Sequence, residues 1–196
     1  MRMKARNQGK KELPRIVRDA ALRFSRREQG GAHGAFDAEL ASLGLRGSVK
    51  TTVATGTAAK DITALLGVGA RKAVLIRSRE MFANDRPVQL AVSYLSRDIT
   101  AGTPIENTDV GPGGTYSCLG VLGHDITEFS ETVTVRRPEV NEAAFLGLDP
   151  DDPDQCVYAI RRTAADQDGM VAEVTDTVMP VERFTLVYRW PADPWA

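Results

Sequence analysis

Four times along the chain a stretch with helical periodicity runs into a Leu-Gly pair: Leu43-Gly44, Leu66-Gly67, Leu122-Gly123 and Leu146-Gly147. Leu45, Val68 and Leu148 follow three of the pairs, and His124 follows the other. Glycine just past a helix enters the left-handed region without a Cβ penalty, and an apolar residue after it packs back on the last turn. The pattern predicts helices over Ala35–Leu43, Ala58–Leu66, Tyr116–Leu122 and Glu139–Leu146. Thr57 is the expected cap of the second, and Pro138 sits where a first helical turn tolerates it.

Strand patterns lie between these helices. Ala73–Ile76 is a buried-strand run that leads into Arg77-Ser78-Arg79. Val88–Tyr94 alternates, with Val88, Leu90, Val92 and Tyr94 on one face and Gln89, Ala91 and Ser93 on the other. Thr132–Val135, Val157–Ile160, Val171–Val178 and Phe184–Trp190 read as further strands, the last closing the sheet. Near the start, the amphipathic stretch from Ile16-Val17 to Ala20-Ala21 reads as a short helix.

Part of this pattern occurs twice. Leu66-Gly67, a strand to Ile76-Arg77, a turn at Asn84-Asp85 and then Pro87-Val88-Gln89 form one unit. Leu146-Gly147, a strand to Ile160-Arg161, a turn at Asp168-Gly169 and then Val171-Ala172-Glu173 form the other. From the strands onward the offset is 84 residues, which makes Arg77 and Arg161, and Gln89 and Glu173, equivalent pairs. Two helix–strand–hairpin units predict an α+β fold, an antiparallel sheet with helices packed against it.

The 196 residues, 42% hydrophobic and 26% charged, suit one domain or one domain plus a tail. No run of 18 apolar residues is present, and no apolar segment follows the basic N-terminus, which speaks against a membrane span or a secretory signal. Two cysteines without C-x-x-C spacing fit a reducing cytoplasm, and the isolated His33 and His124 offer no zinc site. Charge is uneven: residues 1–30 carry ten Lys/Arg against three carboxylates, whereas the rest carries 15 against 23. This divides the chain into a basic tail or interdomain linker, 1–30, and a body, 31–196. A basic arm of this kind is either a solubilising linker or a segment that lies near nucleic acid.

Read in order, several short motifs resemble one family. They are Arg77-Ser78-Arg79, Pro87 to Ser93-Tyr94, Gly113-Gly114-Thr115-Tyr116, Glu131, the run Glu142-Ala143-Ala144-Phe145-Leu146-Gly147, and Glu173 with Glu182-Arg183. The set resembles the UTRA domain of GntR-family transcription regulators, HutC branch, over roughly residues 31–190. The resemblance implies a chorismate-lyase-like fold, a pocket for an anionic or polar small-molecule effector, and a homodimer. It implies a binding domain, with no catalytic residues, metal or cofactor; a chorismate-lyase-like enzyme acting on a small carboxylate is the alternative. Family members carry a winged helix-turn-helix upstream, so DNA contact is expected through such a domain, or weakly through residues 1–30. Gln89 stands where members often have a glutamate that contacts effector hydroxyls, and Gly114 where sugar-phosphate binders have serine. Both departures argue against a phosphorylated amino sugar.

The expected effector-binding residues are Arg77, Arg79, Gln89, Ser93, Tyr116 and Glu173. Arg77 and Arg79 are two apart on a strand and share a face, where their planar forks suit a carboxylate or phosphate; the bland role is a salt-bridged sheet face. Glu173 can accept from an effector hydroxyl or amine, or pair with Arg161 or Arg77 across strands. Tyr116 follows Gly111-Pro112-Gly113-Gly114, a loop that lets a ligand approach backbone amides or simply crosses the surface. Ser93 shares its strand face with Gln89. Cys118 and Cys156 read as small buried residues, His124 as satisfying local carbonyls, and Asp149–Asp154 as a solvated loop.

Overall fold

Residues 13–21 and 35–190 are described by the computed structural model of the chain. The basic residues at 1–12 and 22–30, and the expected boundary between residues 30 and 31, lie outside the described residues. Six antiparallel strands form one sheet in the order β2-β3-β4-β7-β6-β5. They are β2 (Gly47–Gly56), β3 (Val74–Ala83), β4 (Arg86–Ser96), β5 (Ile126–Arg136), β6 (Val157–Asp166) and β7 (Val171–Pro180). The helices are α1 (Ala35–Ala41), α2 (Lys60–Leu65), α3 (Arg97–Thr100), α4 (Gly114–Val121) and α5 (Val140–Leu146), with a 3-10 turn at Pro104–Glu106. The α+β expectation is met.

All four Leu-Gly pairs end helices as the pattern requires. Gly44, Gly67, Gly123 and Gly147 have φ of 66°, 65°, 89° and 67°. The following amide reaches back five residues each time: Leu45 to Leu40, Val68 to Thr63, His124 to Leu119 and Leu148 to Ala143, at 2.9–3.0 Å. This is the 6→1 bond of a Schellman motif. Asn84 and Asp85 both take positive φ, which fits a tight hairpin turn whose twist matches that of β3 and β4. Thr57 does not cap α2; Ala59 holds that position without a side-chain bond. Glu139, not Pro138, begins the α5 cap, and the Glu142 carboxylate accepts its amide at 2.8 Å.

Two expectations are corrected, and one strand is added. Ile16–Asp19 is a strand, β1, and only Ala20 and Ala21 after it are helical. β8 (Phe184–Val187) does not close the sheet but pairs in parallel with β1 as a separate two-stranded sheet. β2 was not foreseen: its sequence GSVKTTVATG is threonine-rich and largely exposed, with too little apolar alternation to announce a strand. Each repeated unit is therefore strand–helix–strand–strand, β2-α2-β3-β4 and β5-α5-β6-β7.

The units meet where β4 pairs with β7, from Leu90↔Val178 to Leu95↔Glu173. Val92 faces Asp176, its own counterpart at the 84-residue offset, so a local two-fold axis passes through this pair. The register of β3 on β4 and of β6 on β7 then makes the offset between β3 and β6 83 residues. A slip of one residue turns a strand side chain to the other face. Arg161 consequently projects from the face opposite to Arg77, and the true twins are Arg79 and Arg162.

One sheet face carries α2, where Ile62 and Leu66 pack with Val74, Val174, Ile76 and Tyr94. α5 joins it there by stacking Phe145 edge-on against Phe82 at 5.6 Å. The other face is covered in two parts. Ile105 and Leu119 of α4 and its approach pack on Leu75 and Leu95. Phe36, Leu40, Ile16 and Phe184 pack on Met81, Ala91 and Ile160. Burial of each such side chain contributes about 1.5–3 kcal/mol.

The capping account is testable. A Cβ at Gly67, Gly147 or Gly69 would meet nothing within 4 Å, but only Gly67 and Gly147 have positive φ. Gly67→Ala and Gly147→Ala are expected to lower urea-unfolding stability by about 1 kcal/mol each, and Gly69→Ala by clearly less.

Candidate functional site

The register lines up six residues, one per strand, across the face beneath α4. The row reads Val53, Arg77, Ser93, Thr175, Arg162 and Glu131 from β2 to β5. On one side lies the row with Arg79, Ala91 and Thr177, and on the other the row with Leu95, Glu173 and Phe129. Five polar residues of these rows, Arg77, Ser93, Glu173, Thr175 and Thr177, are at most 5% exposed. Polar groups buried to this extent must find partners.

Glu173 is the centre. Its carboxylate accepts the Tyr116 hydroxyl at 2.6 Å and lies 3.8 Å from the Arg162 guanidinium. Arg79 donates to the Ser93 hydroxyl, which is 3.0 Å from Thr175 Oγ1. The Arg162 guanidinium lies over the rings of Tyr116 and Phe129, at 5.7 and 5.8 Å from their centroids. Two-fold twins from β3 and β6 thus reach toward one central patch, because four strands at about 4.8 Å spacing are within the span of two arginines.

The charges follow from these contacts. Burial alone would raise the Glu173 carboxyl, but Arg162 and Arg79, with the Tyr116 and Ser93 hydroxyls, hold it below the usual carboxylate range. Burial, reinforced by the adjacent Glu173 charge, pushes the Tyr116 phenol well above its ordinary value. Burial works against the charge of Arg162, yet Tyr116, Glu173 and Glu131 outweigh it and keep the guanidinium protonated. Tyr116 is therefore a neutral donor beside an ionised acceptor.

Arg79, Ser93, Tyr116 and Glu173 are brought together; Arg77 and Gln89 are not part of the contact. Arg77 donates to the carbonyls of Ile105, Asn107 and Thr108 at 2.6, 2.5 and 3.2 Å. Its charge fixes the chain that leads into Gly111–Gly114. Gln89 is buried six residues down β4 from Leu95, the partner of Glu173, or about 20 Å away, and donates to Met81 Sδ. The two-fold carries Gln89 and Glu173 to opposite ends of the sheet instead of toward each other. Arg162 and Thr175 were missed as site residues. Strand parity in Arg161-Arg162 shows that the two arginines face opposite ways, but only the register tells which one faces Glu173.

The glycine loop enters α4 tightly. Gly113 has φ of +82°, and a Cβ there would lie 2.0 Å from Ser117 Oγ. His124 does not bond a carbonyl through its ring; Nδ1 meets the Asp166 carboxylate at 2.8 Å. Cys118 and Cys156 are half-buried free thiols, and Cys118 packs against the core beneath α4. Among the described residues, no group of three His, Cys, Asp or Glu could hold a metal.

A groove of about 910 Å³ lies mainly on the opposite face, running across the sheet beside the start of α5. Its charges are paired with each other: Arg161 with Asp176 at 2.7 and 2.8 Å and with Asp61, Arg136 with Glu142, and Lys50 with Glu80. Partly exposed pairs that already satisfy one another call for no ligand. The buried cluster around Glu173 is the stronger candidate.

Two substitutions test this electrostatic picture. Tyr116→Phe leaves a buried carboxylate short of a donor and is expected to cost about 1–3 kcal/mol in chemical denaturation at neutral pH. Glu173 has a depressed folded-state pKa, so the stabilisation from its charge is complete above the unfolded value and is lost as pH falls through the folded one. Wild type is accordingly expected to exceed Glu173→Gln in stability at pH 7, with the gap closing below about pH 4.

Comparison with known proteins agrees with this architecture. The UTRA domain family model matches residues 47–185. An HTH-type transcriptional regulator of Streptomyces coelicolor is 29% identical over 140 residues, which are 70% of this chain and 51% of the relative. The chain thus spans about half the length of that relative. The effector domain of PhnF from Mycobacterium smegmatis superposes with a TM-score of 0.68 at 22% identity, covering 86% of this chain and 100% of that one. The C-terminal domain of the histidine utilization repressor from Pseudomonas syringae pv. tomato gives 0.62 at 18%, covering 75% and 100%. At such identities the solved structures establish the shared fold. With the family model matching well over half of its length, the chain belongs to the UTRA domain family.

Proposed function

We propose that this chain is the effector-sensing part of a GntR-type transcription regulator, and that its ligand is an anionic small molecule held at the Glu173 cluster. The observation that carries this reading is the convergence of Arg79, Arg162, the Tyr116 hydroxyl and the Ser93 hydroxyl on one buried carboxylate. Forked guanidiniums and neutral hydroxyl donors recognise carboxylates and phosphates, and Glu173 already shows that the donors are aimed at an anion. A ligand entering from the Gly111–Gly114 side shares these arginines with Glu173, while Glu173 accepts from a ligand hydroxyl or ammonium.

The reading extends to the whole regulator. The body, with β1 packed on it, would pair with a second copy as a homodimer, and the basic residues ahead of β1 would link it to a winged helix-turn-helix that contacts DNA, with weak, salt-sensitive contacts of their own. Such a protein works in the cytoplasm; no helix among the described residues is long and apolar enough to cross a membrane. Binding, not catalysis, is the favoured role. Tyr116 is shifted away from ionisation and Glu173 is locked in its charged form, so neither is poised to exchange a proton near neutral pH.

A thermal-shift screen of carboxylates and phosphates tests the proposal. A hit is expected to stabilise the wild-type chain by an amount that grows with ligand concentration. Arg79→Met should abolish that shift, whereas Arg161→Met, on the opposite face, should keep it. Loss with Arg161→Met and retention with Arg79→Met would move the site to the groove on that opposite face.

A further inference from the structure

Beyond the cluster, the polar row ends in a group that the sensing site does not need. Glu131 stands directly opposite Arg162 on the edge strand β5. Its Oε1 accepts from Arg18 at 3.0 Å, and both side chains are buried, at 5% and 4% exposure. Its Oε2 accepts the Tyr188 hydroxyl at 2.8 Å. Arg18 belongs to β1, which is fastened to β8 by four paired residues and joins no other sheet. The two-fold twin of Glu131 is Thr51, opposite Arg79, which carries no charge. The acidic link therefore exists on one side of the axis only, the side where β1 docks.

We propose that Glu173, Arg162, Glu131 and Arg18 form a charge relay through which occupation of the cluster by an anion controls how firmly β1 is held. The inference rests on the sensing role assigned above. Arg162 stands between two carboxylates, Glu173 at 3.8 Å and Glu131 across the strand pair, and Glu131 stands between Arg162 and Arg18. In a buried row of alternating sign, a stronger hold on one neighbour weakens the hold on the next. An anion that draws on Arg162 leaves Glu131 to Arg18 and tightens β1. Linkage makes the effect reciprocal: conditions that clamp β1 raise anion affinity by the same factor. Since β1 carries the chain in from its N-terminal side, the relay converts ligand charge into the stiffness of that connection.

The relay has a sign pattern that mere loss of packing does not produce. Hydrogen exchange of the peptide Leu13–Ala21 is followed by mass spectrometry in the full chain, relative to a β7 peptide as internal reference. Arg162→Met is expected to slow β1 exchange, because Arg18 is then the one guanidinium of the relay that Glu131 serves. Glu173→Gln is expected to speed it, because Arg162 then turns to Glu131. Each change should be about threefold or more, the scale of coupling within one ionic network. Both should vanish in a Glu131→Gln background. Should Arg162→Met fail to fold, Glu173→Gln alone and combined with Glu131→Gln decides the matter. Acceleration in both single variants, or a response that survives Glu131→Gln, overturns the relay. A chain that shows the sign pattern but no thermal shift with any carboxylate or phosphate upholds the relay and overturns the sensing role. A chain stabilised by inorganic phosphate without slower β1 exchange overturns the relay alone.

Discussion

The antiparallel pairing of β4 with β7 is the contact on which the rest of this structure depends. It sets Val92 against Asp176 and thereby creates the local two-fold axis between the repeated units. Ser93 and Thr175 come to lie side by side next to that axis, and Arg79 and Arg162 approach from either flank. None of these groups is near another in sequence. A slip of one residue along β4–β7 would turn Glu173, Thr175 and Thr177 to the groove face and leave the arginines of the covered face without their acceptor.

Burial gives this row its character. An ionised carboxylate under α4 is tolerated because guanidinium and hydroxyl donors surround it, and taking one partner away costs more than making the contact yields. Arg77 meets the same constraint differently. It gives its fork to three backbone carbonyls of one loop and so stabilises the approach to Gly111–Gly114. Two arginines that share a strand face thus serve different ends, one building the wall of the site and the other reaching its interior.

Much of the fold was legible in the sequence because its signals are local. Leu-Gly ends, the Asn84-Asp85 turn and alternation in Val88–Tyr94 each depend on a few adjacent residues. Strands β2 and β1 were not legible: one is a threonine-rich edge, and the other gains its partner only from Phe184–Val187, far along the chain. The site was legible in part. Residue type and strand parity place Arg79, Ser93 and Glu173 on inward faces, and Tyr116 after its glycine loop. Which arginine twins with which depended on register, and a repeat aligned at a constant 84 residues hides the one-residue difference that exchanges Arg161 for Arg162.

The most direct measurement of the central claim is a titration with inorganic phosphate followed by NMR of the arginine side chains, assigned by substitution. If the Glu173 cluster is the anion site, the Arg79 and Arg162 guanidinium resonances shift together along one binding curve while Arg161 stays still. Movement of Arg161 with Arg79 and Arg162 unchanged would contradict the account.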